Sequence, residues 1–157
     1  MQQKNEKGFS LIELLIVVAI IGIIAAIAIP NLLASRRAAN EGSAQSSLRT
    51  INSAEATYRN TSGAGSYGTF ADLMAQSNID SALGQADVTP KSGYLFSLTT
   101  SAGPQFWAYG LPSVTSGVTA TGTRRFAIAE DGVLRGDTDL TAPADEAAVL
   151  AMSPVGN

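Results

Sequence analysis

Residues 9–29 form an almost unbroken apolar run that contains one charged side chain, Glu13. About 20 apolar residues in a helix are enough to span a bilayer. An ionised carboxylate in hydrocarbon costs roughly 2.5–3.5 kcal/mol on insertion scales, so Glu13 needs a partner from outside the run. A cut after Gly8 would create one, because the α-amino group of Phe9 would become a new cation. The pattern predicts that Glu13 meets such an amine, from its own chain or from a neighbouring copy.

Two simpler interpretations of the same run compete. One is a secretory signal peptide, since the leader is basic and residues 26–28 (Ala-Ile-Ala) have the small-x-small pattern of a cleavage point. Glu13 argues against it, and so does a run longer than the usual ~7–15 residues. The other is a plain membrane anchor with a cytoplasmic leader. An anchor gives no reason for Glu13 or for the Gly8–Phe9 junction.

The helical pattern continues beyond Pro30, where the missing amide hydrogen is expected to kink or break the helix. In 31–60 apolar residues recur at a spacing of three to four and form one face. They are Ala44, Leu48, Ile51, Ala54 and Tyr58. The pattern predicts an amphipathic helix that packs on a globular core.

The remaining residues predict a small antiparallel sheet. A turn-rich break at 61–68 precedes a short helix around 69–76, with Thr69 as a possible cap. Strand patterns cover 93–99, 105–111, 124–129 and 132–135, with a hairpin turn at Glu130-Asp131-Gly132 before the last. Aromatic residues on these strands are expected to pack on the long helix: Tyr94, Phe96, Phe106, Trp107, Tyr109 and Phe126. The tail from Thr138 is expected to hold a short helix at 144–152 and otherwise to pack loosely. The predicted fold class is α+β: a long helix on a small antiparallel sheet.

Charge and composition exclude several kinds of chemistry. The chain has neither Cys nor His, which excludes metal sites and nucleophiles built on those residues. A net charge of -3 argues against nucleic acid as the main partner. Arg124 and Arg125 are therefore expected to be a solvated strand start rather than a DNA contact. No catalytic constellation is present in the sequence, so we expect neither an enzyme nor a cofactor.

Carboxylates cluster near the end of the chain. Asp131, Asp137 and Asp139 are weak calcium candidates, because Ca²⁺ prefers oxygen ligands. Their spacing matches no EF-hand loop. A solvated acidic loop without metal is the favoured interpretation.

At Lys7–Pro30 the sequence reads KGFSLIELLIVVAIIGIIAAIAIP, which resembles the N-terminal signature of type IV pilins and of the pseudopilins of type II secretion. The matching features are the basic leader, Gly8, Phe9, Glu13, the apolar run, Gly22 and Pro30. The signature covers about a sixth of the chain, and the rest matches only by the order of its elements. The absence of Cys departs from the many pilins whose C-terminal loop is closed by a disulfide. Major pseudopilins have a calcium site in their C-terminal loops, and the acidic region of this chain resembles those loops in position.

The resemblance implies a maturation and assembly route. A membrane-embedded prepilin peptidase would cut between Gly8 and Phe9 and methylate the new amine. Glu13 would then pair with the Phe9 amine of an adjacent subunit. Gly22 and Pro30 would bracket a stretch where the helix extends on packing. The implied partners are copies of the chain itself, the peptidase, the inner-membrane assembly platform and, before assembly, the lipid bilayer.

The resemblance also implies an organisation and a function. The expected domains are a leader at 1–8, a transmembrane and filament-core helix at 9–30 and a head at 31–157. The head divides into a helix at 31–60, a loop at 61–92, strands at 93–136 and a tail at 137–157. The expected function is that of a major type IV pilus subunit, used for adhesion, motility or DNA uptake. It would first cross the inner membrane once and then be part of an extracellular pilus. A type II secretion pseudopilin, forming a periplasmic piston, and a membrane-anchored binding protein that never assembles are the alternatives.

Overall fold

A computed structural model of the chain describes residues 8–101 and 104–155. Its longest element is helix α1, Leu11–Asn60, which is 50 residues long and continuous through Pro30. Pro30 has no amide hydrogen and so removes one backbone hydrogen bond, but the break expected at this residue does not occur. The chain divides into two compact units, Met1–Ser35 and Arg36–Asn157.

Two short helices follow α1 and are fixed by side-chain caps. Helix α2, Phe70–Ala75, begins after Thr69, which forms a capping box with Asp72, so the predicted cap is confirmed. The Thr69 amide donates to Asp72 Oδ2 at 2.9 Å. Helix α3, Ser81–Gly84, was not predicted and is capped by Asp80, whose Oδ1 accepts from the Leu83 amide at 2.7 Å.

The sheet has four antiparallel strands in the order β1-β2-β3-β4. They are β1 (Tyr94–Thr100), β2 (Phe106–Pro112), β3 (Arg125–Ala129) and β4 (Arg135–Asp137). The first three lie where the sequence predicts them to within a residue or so, and the predicted α+β class is confirmed. The predicted fourth strand is present, but its predicted bounds, 132–135, were wrong. Most of these residues belong instead to the turn that follows Ala129. In that turn Gly132 has φ 70°, and the Val133 amide donates to Asp131 Oδ1.

The core of the second unit lies between α1 and one face of the sheet. Ala44, Leu48, Ile51 and Ala54 of α1 pack with aromatic residues of the strands. Those aromatic residues are Tyr94, Phe96 and Phe126, all of them buried. The predicted packing of strand aromatics on the amphipathic half of the helix is thus confirmed for these three.

Trp107 and Tyr109 do not belong to that core. They pack with a second cluster on the other face of the sheet, made of Ala127, Ala129, Val149 and Met152. Successive side chains of a strand point to opposite faces of the sheet, so these two rings lie on the face opposite to that of the adjacent β2 side chains. Helix α4, Glu146–Leu150, supplies Val149, which is fully buried. The short helix predicted at 144–152 is therefore present with narrower bounds, and it covers this face of the sheet.

Candidate functional site

The first unit consists of exposed apolar side chains on α1 and the residues before it. Phe9 is 88% exposed, and the large aliphatic residues from Leu11 to Leu32 are exposed as well. Among the described residues, neither core cluster includes a member of this segment. The helix is long and apolar enough to cross a membrane, by length and composition. A surface of this kind needs lipid or other apolar helices around it.

Glu13 lies in the first turn of α1 and is exposed. Its Oε2 accepts a hydrogen bond from the Ser10 amide at 2.9 Å. This is half of a capping box, in which a Glu three residues after a Ser satisfies a free amide at the helix start. The Ser-x-x-Glu spacing would have revealed this contact in the sequence. The bond places the carboxylate next to Phe9, the residue whose amine a cut after Gly8 would create.

The other predicted processing and assembly residues lie along the same segment. Gly8 and Phe9 precede α1 and are exposed, whereas the rest of the predicted leader, 1–7, lies outside the described residues. Gly22 lies inside α1, and a Cβ there would meet nothing within 4 Å. Pro30 is also inside α1. Their roles in cleavage and packing stay predictions.

Glu41 connects α1 to the loop before β3 and was not identified from the sequence. It is buried, and its Oε1 accepts from the Thr123 amide at 2.9 Å and from the Thr123 hydroxyl at 2.8 Å. Arg124 forms an ion pair with Oε2 at 2.9 Å. Burial alone would raise the pKa of Glu41, but these donors lower it below its ordinary value. The carboxylate therefore remains ionised and holds the loop on the helix.

Glu55 is the second buried carboxylate of α1, and it has far fewer partners. The side chain is 0% exposed; Oε2 accepts from the Gly68 amide at 2.9 Å. Within the described residues Oε1 is buried without a hydrogen-bond partner. Burial raises the pKa of Glu55 to about 7; the Gly68 bond opposes this shift, and Asp72 adds to it. No sequence signal distinguishes Glu55 from a solvated helix residue.

The expectation that Arg124 and Arg125 form a solvated strand start was wrong for Arg125. Arg125 is buried and forms a bidentate pair with Asp137, at 2.7 Å and 2.9 Å. It also lies 3.5 Å from Asp139 and donates to the Thr141 carbonyl. The guanidinium thus connects β3 to the start of the tail and is not available as a phosphate contact.

The three calcium candidates are engaged by arginines and by nearby backbone and side-chain donors. Arg135 donates twice to Asp131, at 3.0 Å and 2.6 Å, and these bonds lower the pKa of Asp131. Asp137 and Asp139 face Arg125. In 8–101 and 104–155, no group of three or more acidic side chains is arranged to hold a metal ion. The arrangement explains how the carboxylates contribute to the fold, and the weak candidacy of these residues for calcium stays untested.

These features define a class of protein: one apolar helix of bilayer length, joined to an α+β head and carrying a carboxylate at its start. Comparison with known sequences specifies the class further. Residues 3–29 match the family described as the prokaryotic N-terminal methylation motif. No solved structure matches the chain.

Three curated relatives match the N-terminal part of the chain. It is 68% identical over 38 residues to the type IV wide pilus major component PilA4 of Thermus thermophilus, covering 24% of this chain and 29% of that protein. It is 44% identical over 54 residues to the type IV major pilin protein PilA of Myxococcus xanthus, covering 34% of this chain and 24% of that protein. It is 32% identical over 59 residues to the type II secretion system core protein G of Aeromonas hydrophila, covering 38% of this chain and 41% of that protein.

The matches therefore span less than half of each relative's length. They confirm the resemblance that the sequence analysis identified. The N-terminal segment is similar to that of type IV pilins and of a type II secretion core protein.

Proposed function

We propose that this chain is the major structural subunit of a type IV pilus. The observation that carries the proposal is the exposed apolar segment of α1 with Glu13 at its start. Such a helix is stable in two environments, a bilayer and a bundle of identical helices. The subunit uses both in turn, first as a single-pass protein of the inner membrane and then in an extracellular filament.

Maturation removes residues 1–8 and methylates the amine of Phe9. The match to the methylation motif over residues 3–29 supports this step. Gly8 and Phe9 are exposed ahead of α1, as a cleavage site must be. Gly8 also lacks a side chain that would hinder close approach by the peptidase. The mature chain then consists of the filament-core segment 9–30 and the head 31–157, and it acts without catalysis of its own.

Glu13 sets the register between subunits in the filament. In a dry helix bundle its carboxylate pairs with the Phe9 amine of the next copy. Removing one partner of a buried pair leaves an uncompensated charge, at a cost of about 3–5 kcal/mol. A shifted register would have the same cost, so the pair selects one axial offset. Gly22 and Pro30, both weak helix formers, let the helix extend between them as the subunits pack.

Substitution of Glu13 tests this proposal. Glu13→Gln keeps an acceptor for the Ser10 amide but removes the charge, whereas Glu13→Ala removes both. We expect both variants to be processed and inserted in the membrane and neither to form filaments. Glu130→Gln, which changes an exposed glutamate of the head, is the matched control and should assemble normally. Abundant filaments from Glu13→Gln would refute the charge-pairing role.

A second candidate is a pseudopilin, and the similarity to a type II secretion core protein supports it. In that case the same helix would assemble a periplasmic piston instead of a surface fibre. The two functions differ in where the assembled protein is found. Sheared surface material contains a pilin, whereas a pseudopilin at normal expression stays with the cell envelope. A chain that is never processed would instead fit a membrane-anchored binding protein.

A further inference from the structure

The connecting loop, residues 61–69, joins α1 to α2 and is tied to α1 near both of its ends. Near its start, the Gly63 amide donates to the Tyr58 carbonyl at 2.8 Å. Near its end, the Gly68 amide donates to Glu55 Oε2 at 2.9 Å. The acceptor of this second bond is a titratable group, so the attachment of the loop's end depends on the state of the Glu55 carboxyl group.

Glu55 and Glu41 are both buried on α1, but they differ in the donors around them. Thr123 and Arg124 both donate to the Glu41 carboxylate, which compensates its charge. Glu55 accepts from Gly68, and within the described residues its Oε1 has no partner. A buried carboxylate with so few donors is costly when ionised and tolerated when protonated. This environment raises the pKa of Glu55 to about 7, chiefly through burial.

The charged groups around Glu55 do not favour its ionised form. Arg59, one turn further along α1, donates instead to the Gly65 carbonyl at 3.2 Å and to the Tyr67 hydroxyl at 3.0 Å. In the part of the chain that the structure describes, Glu55 forms no ion pair. Asp72 on α2, whose own pKa is lowered by its bonds with Thr69, raises the pKa of Glu55 further. An ionised Glu55 is therefore stabilised mainly by access to water.

The connecting loop is the segment that can move to admit that water. Ala64 and Gly65 have φ values of 48° and 93°, and a left-handed conformation is strained for alanine. Tyr67 is the single aromatic residue of the loop, and its ring centroid lies 4.7 Å from that of the buried Phe106. Segments with few buried apolar contacts open at a lower free energy than core elements. Opening of this loop would remove Tyr67 from Phe106 and hydrate Glu55.

We propose that Glu55 is a proton-dependent switch for the connecting loop. The protonated carboxyl group keeps the loop closed on α1, and loss of the proton favours a locally open state in which the rest of the head stays folded. The carboxyl group has a pKa of about 7 when the loop is closed and, once hydrated, its ordinary value of 4.5. For such a group the equilibrium constant for opening rises about 70-fold between pH 5 and pH 8.

Amide hydrogen exchange of the full chain in detergent micelles tests the switch, at pH 5 and pH 8, with rates corrected for the intrinsic effect of pH. The reporters are the hydrogen-bonded amides of Gly63, Gly65 and Gly68, compared with the amides of the buried strand β3. Glu55→Gln keeps an acceptor for Gly68 and cannot lose a proton. Asp87→Asn changes an exposed carboxylate outside the loop and is the matched control.

We expect the loop amides to be less protected than those of β3 at both pH values, and to lose about 70-fold in protection from pH 5 to pH 8 in wild type and in Asp87→Asn. In Glu55→Gln this loss should be absent. Loop amides as strongly protected as those of β3 would show that the loop opens only when the whole head unfolds, which overturns the inference. An equal loss of loop protection in wild type and Glu55→Gln would overturn it as well, because another group would then control the loop.

Discussion

Glu55 predicts an unusual pH dependence of stability for the head. Its carboxyl group is fully buried at the end of α1 and accepts one hydrogen bond, from the Gly68 amide. Burial raises its folded-state pKa to about 7, from an ordinary value of 4.5. The group therefore binds a proton more tightly in the folded chain than in the unfolded one. Its contribution to stability is present in full below pH 4.5 and is lost as the pH rises to about 7.

The size of the effect follows from the two pKa values. A difference of 2.5 pKa units at 1.36 kcal/mol per unit gives about 3 kcal/mol. Other carboxylates act in the opposite direction, since the pKa values of Glu41 and Asp131 are lowered on folding. The pH dependence of the total free energy of unfolding is therefore a sum of contributions that fall and contributions that rise with pH. Glu55→Gln removes only the Glu55 contribution, because glutamine still accepts from Gly68 and does not titrate.

The measurement is urea unfolding of the full chain in detergent micelles, for wild type and Glu55→Gln, at several values between about pH 5 and pH 8. Trp107 is the single tryptophan and packs in the second cluster of the head, so its fluorescence reports unfolding there. We expect the stability of wild type relative to the variant to fall by most of the 3 kcal/mol worked out above, or about 2–3 kcal/mol, over this range. A constant difference between the two proteins across the range would refute the raised pKa of Glu55.

Three further changes test other contacts of the head. Asp137→Asn leaves the buried Arg125 guanidinium without its bidentate partner, and we expect a loss of about 2 kcal/mol in the same urea assay; an unchanged midpoint would contradict the pair's structural role. Gly42→Ala adds a Cβ that meets nothing within 4 Å inside α1, so stability should rise by about 1 kcal/mol, and a decrease would mean that this face is covered. Tyr94→Phe removes the 2.8 Å bond to the Arg124 carbonyl and should cost about 1 kcal/mol, whereas no loss would show that water replaces the bond.

The sequence predicted those parts of the structure whose patterns are local. The apolar run is recognised by its length, and the amphipathic half of α1 and the first three strands by their periodic or aromatic patterns. Thr69 has a short-range capping partner. Helix α3 was missed because four residues hold too little periodicity to detect. The fourth strand was misplaced because the turn before it is longer than a two-residue hairpin.

The remaining misses depend on contacts between distant residues. Arg125 looked solvated because its partner, Asp137, lies 12 positions away on another strand. The burial of Val149 was not predicted because the sheet face that it covers is formed by β2 and β3. The burial of Glu55 depends on the loop that ends at Gly68. No single-sequence pattern encodes such pairings, whereas the capping contact of Glu13 with Ser10 is local and could have been found.

The central claim is that the chain is processed at Gly8–Phe9 and assembled through the helix that begins there. The most direct test is the mass and N-terminal sequence of the protein from its native cells, in sheared surface material and in membranes. The account predicts an N-terminus at methylated Phe9 in sheared fibres. An intact Met1 in all fractions, or a start at Ile29 after an ordinary signal-peptide cleavage, would contradict it.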